Sequence, residues 1–225
     1  MQRAPTRAGF TLLEVMVVIA ILGVLSVLGL ALLQNSFGDA RAKTGTRALA
    51  DLLQLAREEA IRTGDNHLVF FGQDAEDNDL TTGGVAAAAI LVRDANGDGK
   101  VDGGETVGGV KVDTTGSLSW GSAFAAAATD PAPNDNPDAT FPETDPDFLC
   151  CTFLDPDAGA ARWVAFLPDG IPRAFEIGPF EVGEVGSGNG AVYVTSGSRD
   201  YAVVLAPLGG VRVHAWDRGA DAWTR

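Results

Sequence analysis

The residues from Asp94 to Glu105 read DANGDGKVDGGE, which places oxygen-bearing side chains at the spacing of a calcium-binding loop. In such a loop, short acids at alternate positions surround one hard cation, and Gly99 permits the sharp turn between them. The predicted ligands are the side chains of Asp94, Asn96, Asp98, Asp102 and Glu105 and the backbone carbonyl of Lys100. An EF-hand needs flanking helices, whereas the upstream residues here are strand-like and the downstream ones Gly-rich. The sequence therefore predicts a connection between two strands that either binds Ca²⁺ or forms an acidic turn without metal.

A second candidate for chemistry is Glu14, the single charged residue in the apolar run from Phe10 to Leu33. This run is 24 residues long, and about 20 suffice to cross a bilayer. The run exceeds the apolar core of a secretory signal peptide, and no A-x-A-like cleavage site closes it. Arg3 and Arg7, with no acid before the run, favour a cytoplasmic N-terminus. A carboxylate near the centre of a spanning helix costs about 2.5–3.5 kcal/mol, so we expect Glu14 to have a functional partner.

The segment GFTLLEVMVVIAILGVL resembles the leader junction of type IV prepilins and type II secretion pseudopilins. The resemblance covers the short basic leader, Gly9, the five residues from Phe10 to Glu14 and the long apolar helix. It implies that a prepilin peptidase cuts after Gly9 and that Phe10 becomes the N-methylated first residue. The new ammonium lies four positions before Glu14, and the resemblance implies that Glu14 pairs with the ammonium of a neighbouring subunit. The alternative is an anchor with an incidental Glu.

The residues after the apolar run predict an amphipathic helix over 34–64. An apolar stripe recurs at helical spacing on Leu49, Leu52, Leu53, Ala56 and Ala60. Glu58 and Arg62 form an i, i+4 pair, Gly64 ends the helix, and a bend or break is expected at Gly38 or Gly45.

The remaining residues, 65–225, predict short strands separated by Gly, Asp and Pro. The strands are expected over 67–71, 85–93, 107–112, 162–167, 173–177, 191–195, 201–206 and 210–216. Such a pattern favours antiparallel sheets. We therefore predict an α+β, pilin-like fold: a removed leader over 1–9, a transmembrane segment over 10–33, then the amphipathic helix packed on a β-sheet head.

Three later segments narrow the resemblance to the GspH/FimT-type prepilins. RALADLLQLAREEAIRTG resembles the start of their globular region, and VAFLPDGIPRAF and LGGVRVHAW are similar to later parts of it. This implies a structural subunit rather than an enzyme.

The charge of the chain disfavours nucleic acid as a partner. The whole chain has a formal net charge of −14, and the residues beyond Thr63 carry 9 basic and 25 acidic side chains, a formal −16. Such a surface repels phosphate. Nine of the acids lie between Lys111 and Arg162. The Pro/Asp-rich residues near 121–160 are predicted to form a solvated surface loop, with a partner-facing or cation-binding loop as the alternative.

The few potentially reactive side chains do not form a catalytic motif. His67 and His214 are far apart and each lies in a strand-like run, so we expect structural roles. Cys150 and Cys151 are adjacent. The sequence leaves open a vicinal disulfide, two free thiols or pairing between subunits.

These features together predict a minor pseudopilin, a structural subunit of the periplasmic pseudopilus of the type II secretion system. It would be a single-pass inner-membrane protein with a cytoplasmic N-terminus and a periplasmic head, in contact with membrane lipid before assembly. Its expected partners are prepilin peptidase and other pseudopilins, and no cofactor is required beyond the candidate Ca²⁺. The alternative is a minor pilin of a type IV pilus, in assembly or DNA uptake; a Ca²⁺-dependent adhesin tip rests on the loops alone.

Overall fold

The computed structural model describes residues 12–74, 78–111, 119–124, 131–137, 150–177 and 180–224, and the side chains of 27–37 and 111 are not among those described. The chain divides into two compact units, Met1–Phe37 and Gly38–Arg225. Gly9, Phe10 and the predicted leader lie outside the described residues.

Helix α1 covers Leu12–Thr63. It ends where predicted, because Gly64 adopts a φ of 76° that favours glycine and donates its N–H to the carbonyl of Ala60 at 3.0 Å. The backbone is helical through Gly38 and Gly45, so a break at these glycines is wrong, and the alternative of a bend stays a prediction.

None of the helical stretch that the structure describes combines the length and the hydropathy that a membrane crossing requires. The predicted spanning segment over 10–33 is thus not confirmed.

Thirteen strands follow α1 within the described residues. They are β1 (Asn66–Phe71), β2 (Thr81–Thr82), β3 (Val85–Asp94), β4 (Thr106–Lys111), β5 (Ser119–Trp120), β6 (Phe153–Leu154), β7 (Ala160–Ala161), β8 (Trp163–Phe166), β9 (Pro172–Arg173), β10 (Gly190–Thr195), β11 (Asp200–Leu205), β12 (Val211–Asp217) and β13 (Ala222–Thr224). Seven of the eight predicted strands are found, and none of their bounds shifts by more than one residue. The strand predicted over 173–177 is wrong beyond Arg173, since Phe175 makes only an isolated bridge to Val182.

The strands form two main antiparallel sheets. The first has the order β2-β3-β1-β8-β9, with β4 also paired to β3, and the second has the order β13-β12-β11-β10-β5. A small third sheet pairs β6 with β7. The predicted α+β architecture with antiparallel sheets is confirmed, and it is compatible with a pilin-like fold.

The stripe predicted on α1 forms part of the largest hydrophobic core. All five of its residues are buried there together with side chains from both main sheets: Leu49, Leu52, Leu53, Ala56 and Ala60 from α1, and Val69, Phe71, Val164, Phe166, Val192, Val194, Val203 and Leu205 from the strands. Arg57 adds a polar contact, because its Nη1 donates to the carbonyl of Gly209 at 3.1 Å. The predicted Glu58–Arg62 pair is replaced by an ion pair between Arg62 and Glu59, one residue closer along the helix.

Both main sheets are buried on their other faces as well. Side chains alternate along a strand, so the neighbours of the core residues point away from α1. In the first sheet Leu68 and Phe70 join Ile90, Phe175 and others in a second cluster. In the second sheet Ala191, Tyr193, Ala202 and Val204 form a third cluster with Ala132.

Part of the Pro/Asp-rich region covers the third cluster. Ala132, Asp135 and Asn136 are 2%, 9% and 8% exposed. Asp135 accepts hydrogen bonds from the hydroxyls of Thr152 at 2.5 Å and Tyr193 at 2.6 Å. The prediction of a solvated loop is therefore wrong for Ala132, Asp135 and Asn136, whereas the other four of 131–137 are exposed as predicted; residues 125–130 and 138–149 lie outside the described chain.

Cys150 and Cys151 form a vicinal disulfide and are buried in the largest core. This segment pairs with the edge of β10: the N–H of Tyr193 donates to the carbonyl of Cys150 at 2.7 Å, and the N–H of Thr152 donates to the carbonyl of Ala191 at 3.0 Å. Further along the same edge, β5 pairs with Val194 and Thr195. Two short segments thus share the outer edge of β10.

Candidate functional site

The N-terminal candidate is Glu14, which lies in the first turn of α1. The side chain is exposed. Large apolar side chains surround the helix on every side: between Leu12 and Leu25 they are 49–78% exposed. A helix that is apolar on all faces requires an apolar environment, which is lipid or other helices. Among the described residues of the unit up to Phe37, none covers this apolar surface.

The second candidate is the loop between β3 and β4, which contains the predicted calcium ligands. The prediction that this motif connects two strands is confirmed. Asp94 is the last residue of β3, and its Oδ1 accepts hydrogen bonds from the N–H groups of Gly97 at 2.9 Å and Asp98 at 3.1 Å. The chain therefore wraps around the Asp94 carboxylate.

Other side chains of the loop converge on one another. The amide Nδ2 of Asn96 donates to Oδ2 of Asp98 at 3.1 Å and to Oδ2 of Asp102 at 2.9 Å. Glu105 closes the loop, because its Oε1 accepts a hydrogen bond from the N–H of Ala95 at 3.2 Å. The backbone N–H of Lys100 donates to Oδ1 of Asp98 at 2.9 Å.

Two oxygens in this loop are buried without a hydrogen-bond donor among the described residues: Oδ2 of Asp94 and Oε2 of Glu105. Asp94 is 4% exposed. Burial raises the pKa of the Asp94 carboxyl, against the hydrogen bonds that its Oδ1 accepts from the N–H groups of Gly97 and Asp98. A desolvated carboxylate is therefore only partly satisfied by its own loop.

The structure thus places all six predicted ligand residues in the connection from the end of β3 to the start of β4. Within the described ranges, however, no three His, Cys, Asp or Glu side chains are already disposed as a metal site. Calcium binding therefore stays a prediction.

Sequence reasoning missed the packing that holds this loop in place. Gly99 has a φ of 71°, as the predicted turn requires, and a Cβ built on it would lie 2.7 Å from the ring of Phe180 and 3.4 Å from that of Phe175. Val101 packs against the second core cluster. The sequence could indicate only that Val101, an apolar residue in a polar loop, is buried. It could not indicate the contacts of Gly99, because Phe175 and Phe180 lie far away in the sequence.

A basic cavity is a third candidate that the sequence did not predict. It has a volume of about 400 Å³ and is lined by Lys43, Arg47, Arg199 and His214, among others. His214 was expected to be structural, and it is 2% exposed. The cavity brings Lys43 and Arg47 of α1 together with Arg199, which is distant from them in the sequence.

Comparison with known families identifies the N-terminal segment. Residues 5–30 match the prokaryotic N-terminal methylation motif. The chain therefore carries the signature of type IV pilin and pseudopilin precursors, as the resemblance predicted. Precursors with this motif are membrane-anchored structural proteins, which prepilin peptidase processes and which assemble into filaments with other pilins. No curated protein and no solved structure matches this chain.

Proposed function

We propose that this chain is a minor pseudopilin, a structural subunit of the periplasmic pseudopilus of a type II secretion system. The observation that carries the proposal is the methylation motif over residues 5–30. The sequence resemblance of residues 47–64 to the GspH/FimT-type prepilins supports the minor pseudopilin role. In this proposal the precursor is a single-pass inner-membrane protein with its head in the periplasm.

The apolar side chains between Leu12 and Leu25 supply the assembly surface. Each large apolar side chain contributes about 1.5–3 kcal/mol when it is fully removed from water. Their exposed fractions of 49–78% in the isolated chain mean that most of this free energy is still to be gained. Lipid provides it before assembly, and the helices of neighbouring subunits provide it afterwards.

Glu14 sets the register in this proposal. Cleavage after Gly9 creates an ammonium at Phe10, and the Glu14 carboxylate of one subunit pairs with the ammonium of the next. Each charge alone is unfavourable among apolar side chains, and pairing lowers that penalty. A register displaced along the filament axis would separate the two charges.

The head acts as a packing module rather than as a nucleic-acid binder. Its formal charge of −16 opposes the capture of phosphate. The type IV pilus uses the same precursor chemistry, so the experiment has to separate the two machines.

The test replaces Glu14 by Ala in the full chain, expressed in cells that contain the cognate secretion system. We expect processing to continue and incorporation into the filament to fall at least about tenfold, as a loss of roughly 1.4 kcal/mol would give. Glu58→Ala is the matched control, because Glu58 is an exposed acid on the same helix. Mass spectrometry of the mature chain should show an N-methylated Phe10 in both variants.

Two results would contradict this proposal. Glu14→Ala subunits that enter the filament as well as Glu58→Ala subunits would remove the register role. If deletion of the gene abolishes twitching motility but leaves protein secretion intact, the subunit belongs to a type IV pilus instead.

A further inference from the structure

We propose that the loop from Asp94 to Glu105 binds one Ca²⁺ ion, and that binding completes the hydrogen-bonding and charge requirements of a buried turn. The loop is far in sequence from the assembly helix, and the inference does not depend on the proposed function. It rests on the two buried oxygens, Oδ2 of Asp94 and Oε2 of Glu105, that lack a donor among the described residues.

The position of these oxygens points to a ligand between them. Oδ1 of Asp94 accepts hydrogen bonds from the N–H groups of Gly97 and Asp98, whereas Oδ2 of the same carboxylate is buried without a donor among the described residues. Oε1 of Glu105 bonds to the N–H of Ala95, the residue next to Asp94, which places the Glu105 carboxylate beside the first ligand. A buried acceptor left without a hydrogen-bond donor typically costs about 1–3 kcal/mol of folding free energy, and a charged acceptor costs more. A cation bound to both oxygens removes this penalty.

The side-chain amide of Asn96 lies between two carboxylates of the loop. Its Nδ2 lies 3.1 Å from an oxygen of Asp98 and 2.9 Å from an oxygen of Asp102, so two carboxylates converge on one neutral amide. A cation competes effectively with an amide for two carboxylates. Oδ1 of Asn96 already accepts a hydrogen bond from the N–H of Asp98 at 3.1 Å, and its second lone pair can serve as a further ligand.

The loop is already fixed at its ends and at its middle. Beside Asp94, the N–H of Arg93 donates to the carbonyl of Glu105 at 2.9 Å. Gly99 lies close to the rings of Phe175 and Phe180, and Val101 packs into the second core cluster. Binding therefore orders little new backbone, and the rearrangement is confined to side chains.

The ligand chemistry favours Ca²⁺ over other common cations. The set contains four carboxylates, one amide oxygen and one backbone carbonyl, and oxygen ligands of this kind suit a hard cation. Mg²⁺ demands near-ideal octahedral geometry and keeps several waters, whereas Ca²⁺ accepts irregular coordination. We expect a Kd of about 10⁻⁴–10⁻³ M, the range of extracellular calcium modules.

The test is isothermal titration of the full chain in detergent with CaCl₂ and, separately, MgCl₂, together with thermal unfolding in each salt. We expect one saturable Ca²⁺ site in the stated range, a higher Tm in Ca²⁺ than in EDTA, and at least about tenfold weaker binding of Mg²⁺. Asp94→Asn and Glu105→Gln should each weaken Ca²⁺ binding about tenfold or more and abolish the rise in Tm. Asp94→Asn keeps an oxygen for the N–H groups of Gly97 and Asp98, so it tests the ligand without removing the turn.

The matched control is Asp155→Asn. Asp155 organises a different acidic turn, in which its Oδ1 accepts hydrogen bonds from the N–H groups of Asp157 at 2.9 Å and Gly159 at 2.7 Å. This variant loses the same charge and should bind Ca²⁺ like the unmodified chain. The proposal is overturned if the unmodified chain shows no saturable Ca²⁺ binding at concentrations up to about ten times the expected Kd. Equal Ca²⁺ affinity in the Asp94, Glu105 and Asp155 variants would also overturn it, because the ion would then bind elsewhere on the acidic surface.

Discussion

Replacing Tyr193 by Phe tests whether residues 131–137 are held against the second sheet by one buried hydroxyl. This hydroxyl donates to Oδ2 of Asp135 at 2.6 Å and accepts from the N–H of Ala132 at 2.8 Å. Tyr193 itself is fully buried, and Ala132 is 2% exposed. The substitution keeps the ring and removes both hydrogen bonds.

The magnitude follows from these two contacts. A hydrogen bond to a charged group contributes about 1.5–3 kcal/mol, and a buried N–H left without a partner costs about 1–3 kcal/mol. We therefore expect Tyr193→Phe to lower the free energy of unfolding by about 3–5 kcal/mol, a large share of the roughly 5–15 kcal/mol of a typical domain. Asp135 keeps its contacts with the hydroxyl of Thr152 and the N–H of Asn136, so the loss is confined to this side of the carboxylate.

The assay is denaturant unfolding of the full chain in detergent, followed by tryptophan fluorescence. All four tryptophans lie in the unit Gly38–Arg225, so the signal reports on the head. Tyr201→Phe is the control, because Tyr201 is 4% exposed on the neighbouring strand and its hydroxyl interacts with Arg199 rather than with a buried carboxylate. That variant should lose about 1 kcal/mol or less. If Tyr193→Phe unfolds within about 0.5 kcal/mol of the unmodified chain, the hydroxyl does not hold the segment.

Two further predictions concern the same head. Burial raises the pKa of Asp135 in the folded protein above its ordinary value of 3.8, against hydrogen bonds from Thr152 and Tyr193. The stability that this group contributes is therefore complete below the unfolded-state pKa and is lost as the pH rises through the folded-state pKa. Asp135→Asn should remove this slope, at most about 1.4 kcal/mol per pH unit, from unfolding free energies measured across the acidic range; an unchanged slope would assign it to other carboxyls. Gly188→Ala should destabilise the head by about 1–3 kcal/mol in denaturant unfolding, because a Cβ there would lie 2.7 Å from the backbone carbon of Pro172. Gly210→Ala meets only an ordinary contact at 3.8 Å, so a loss equal to that of Gly188→Ala would refute this steric explanation.

The elements that depend on local pattern were predictable from the sequence. The stripe from Leu49 to Ala60 has helical spacing and is buried as expected, and Gly64 ends the helix with a positive φ. The strands on either side of the calcium motif were also predicted, because their β-branched and apolar residues lie between clusters of Gly and Asp.

The features that depend on distant partners were not predictable. Asp135 lies in a Pro/Asp-rich segment of a kind typical of solvated loops, and its burial depends on hydrogen bonds from the distant Thr152 and Tyr193. One local contact was not predictable either, because Arg62 can reach an acid three or four residues before it with similar ease, and the sequence does not decide between Glu58 and Glu59.

The candidate sites follow the same division. The spacing of the loop ligands was visible in the sequence, whereas the missing donor at Oδ2 of Asp94 depends on how the turn is packed. The contacts of Gly99 with the rings of Phe175 and Phe180 likewise join segments that are distant in the chain.

The shared edge of β10 has a consequence for association between copies of the chain. An unpaired strand edge is a template for β-pairing with another chain, which leads to aggregation. The cystine segment uses the peptide groups around Ala191 and Tyr193, and β5 uses those of Val194 and Thr195. Another chain therefore cannot add a strand to β10 at these positions, and pairing between chains through this edge is blocked by the protein's own segments.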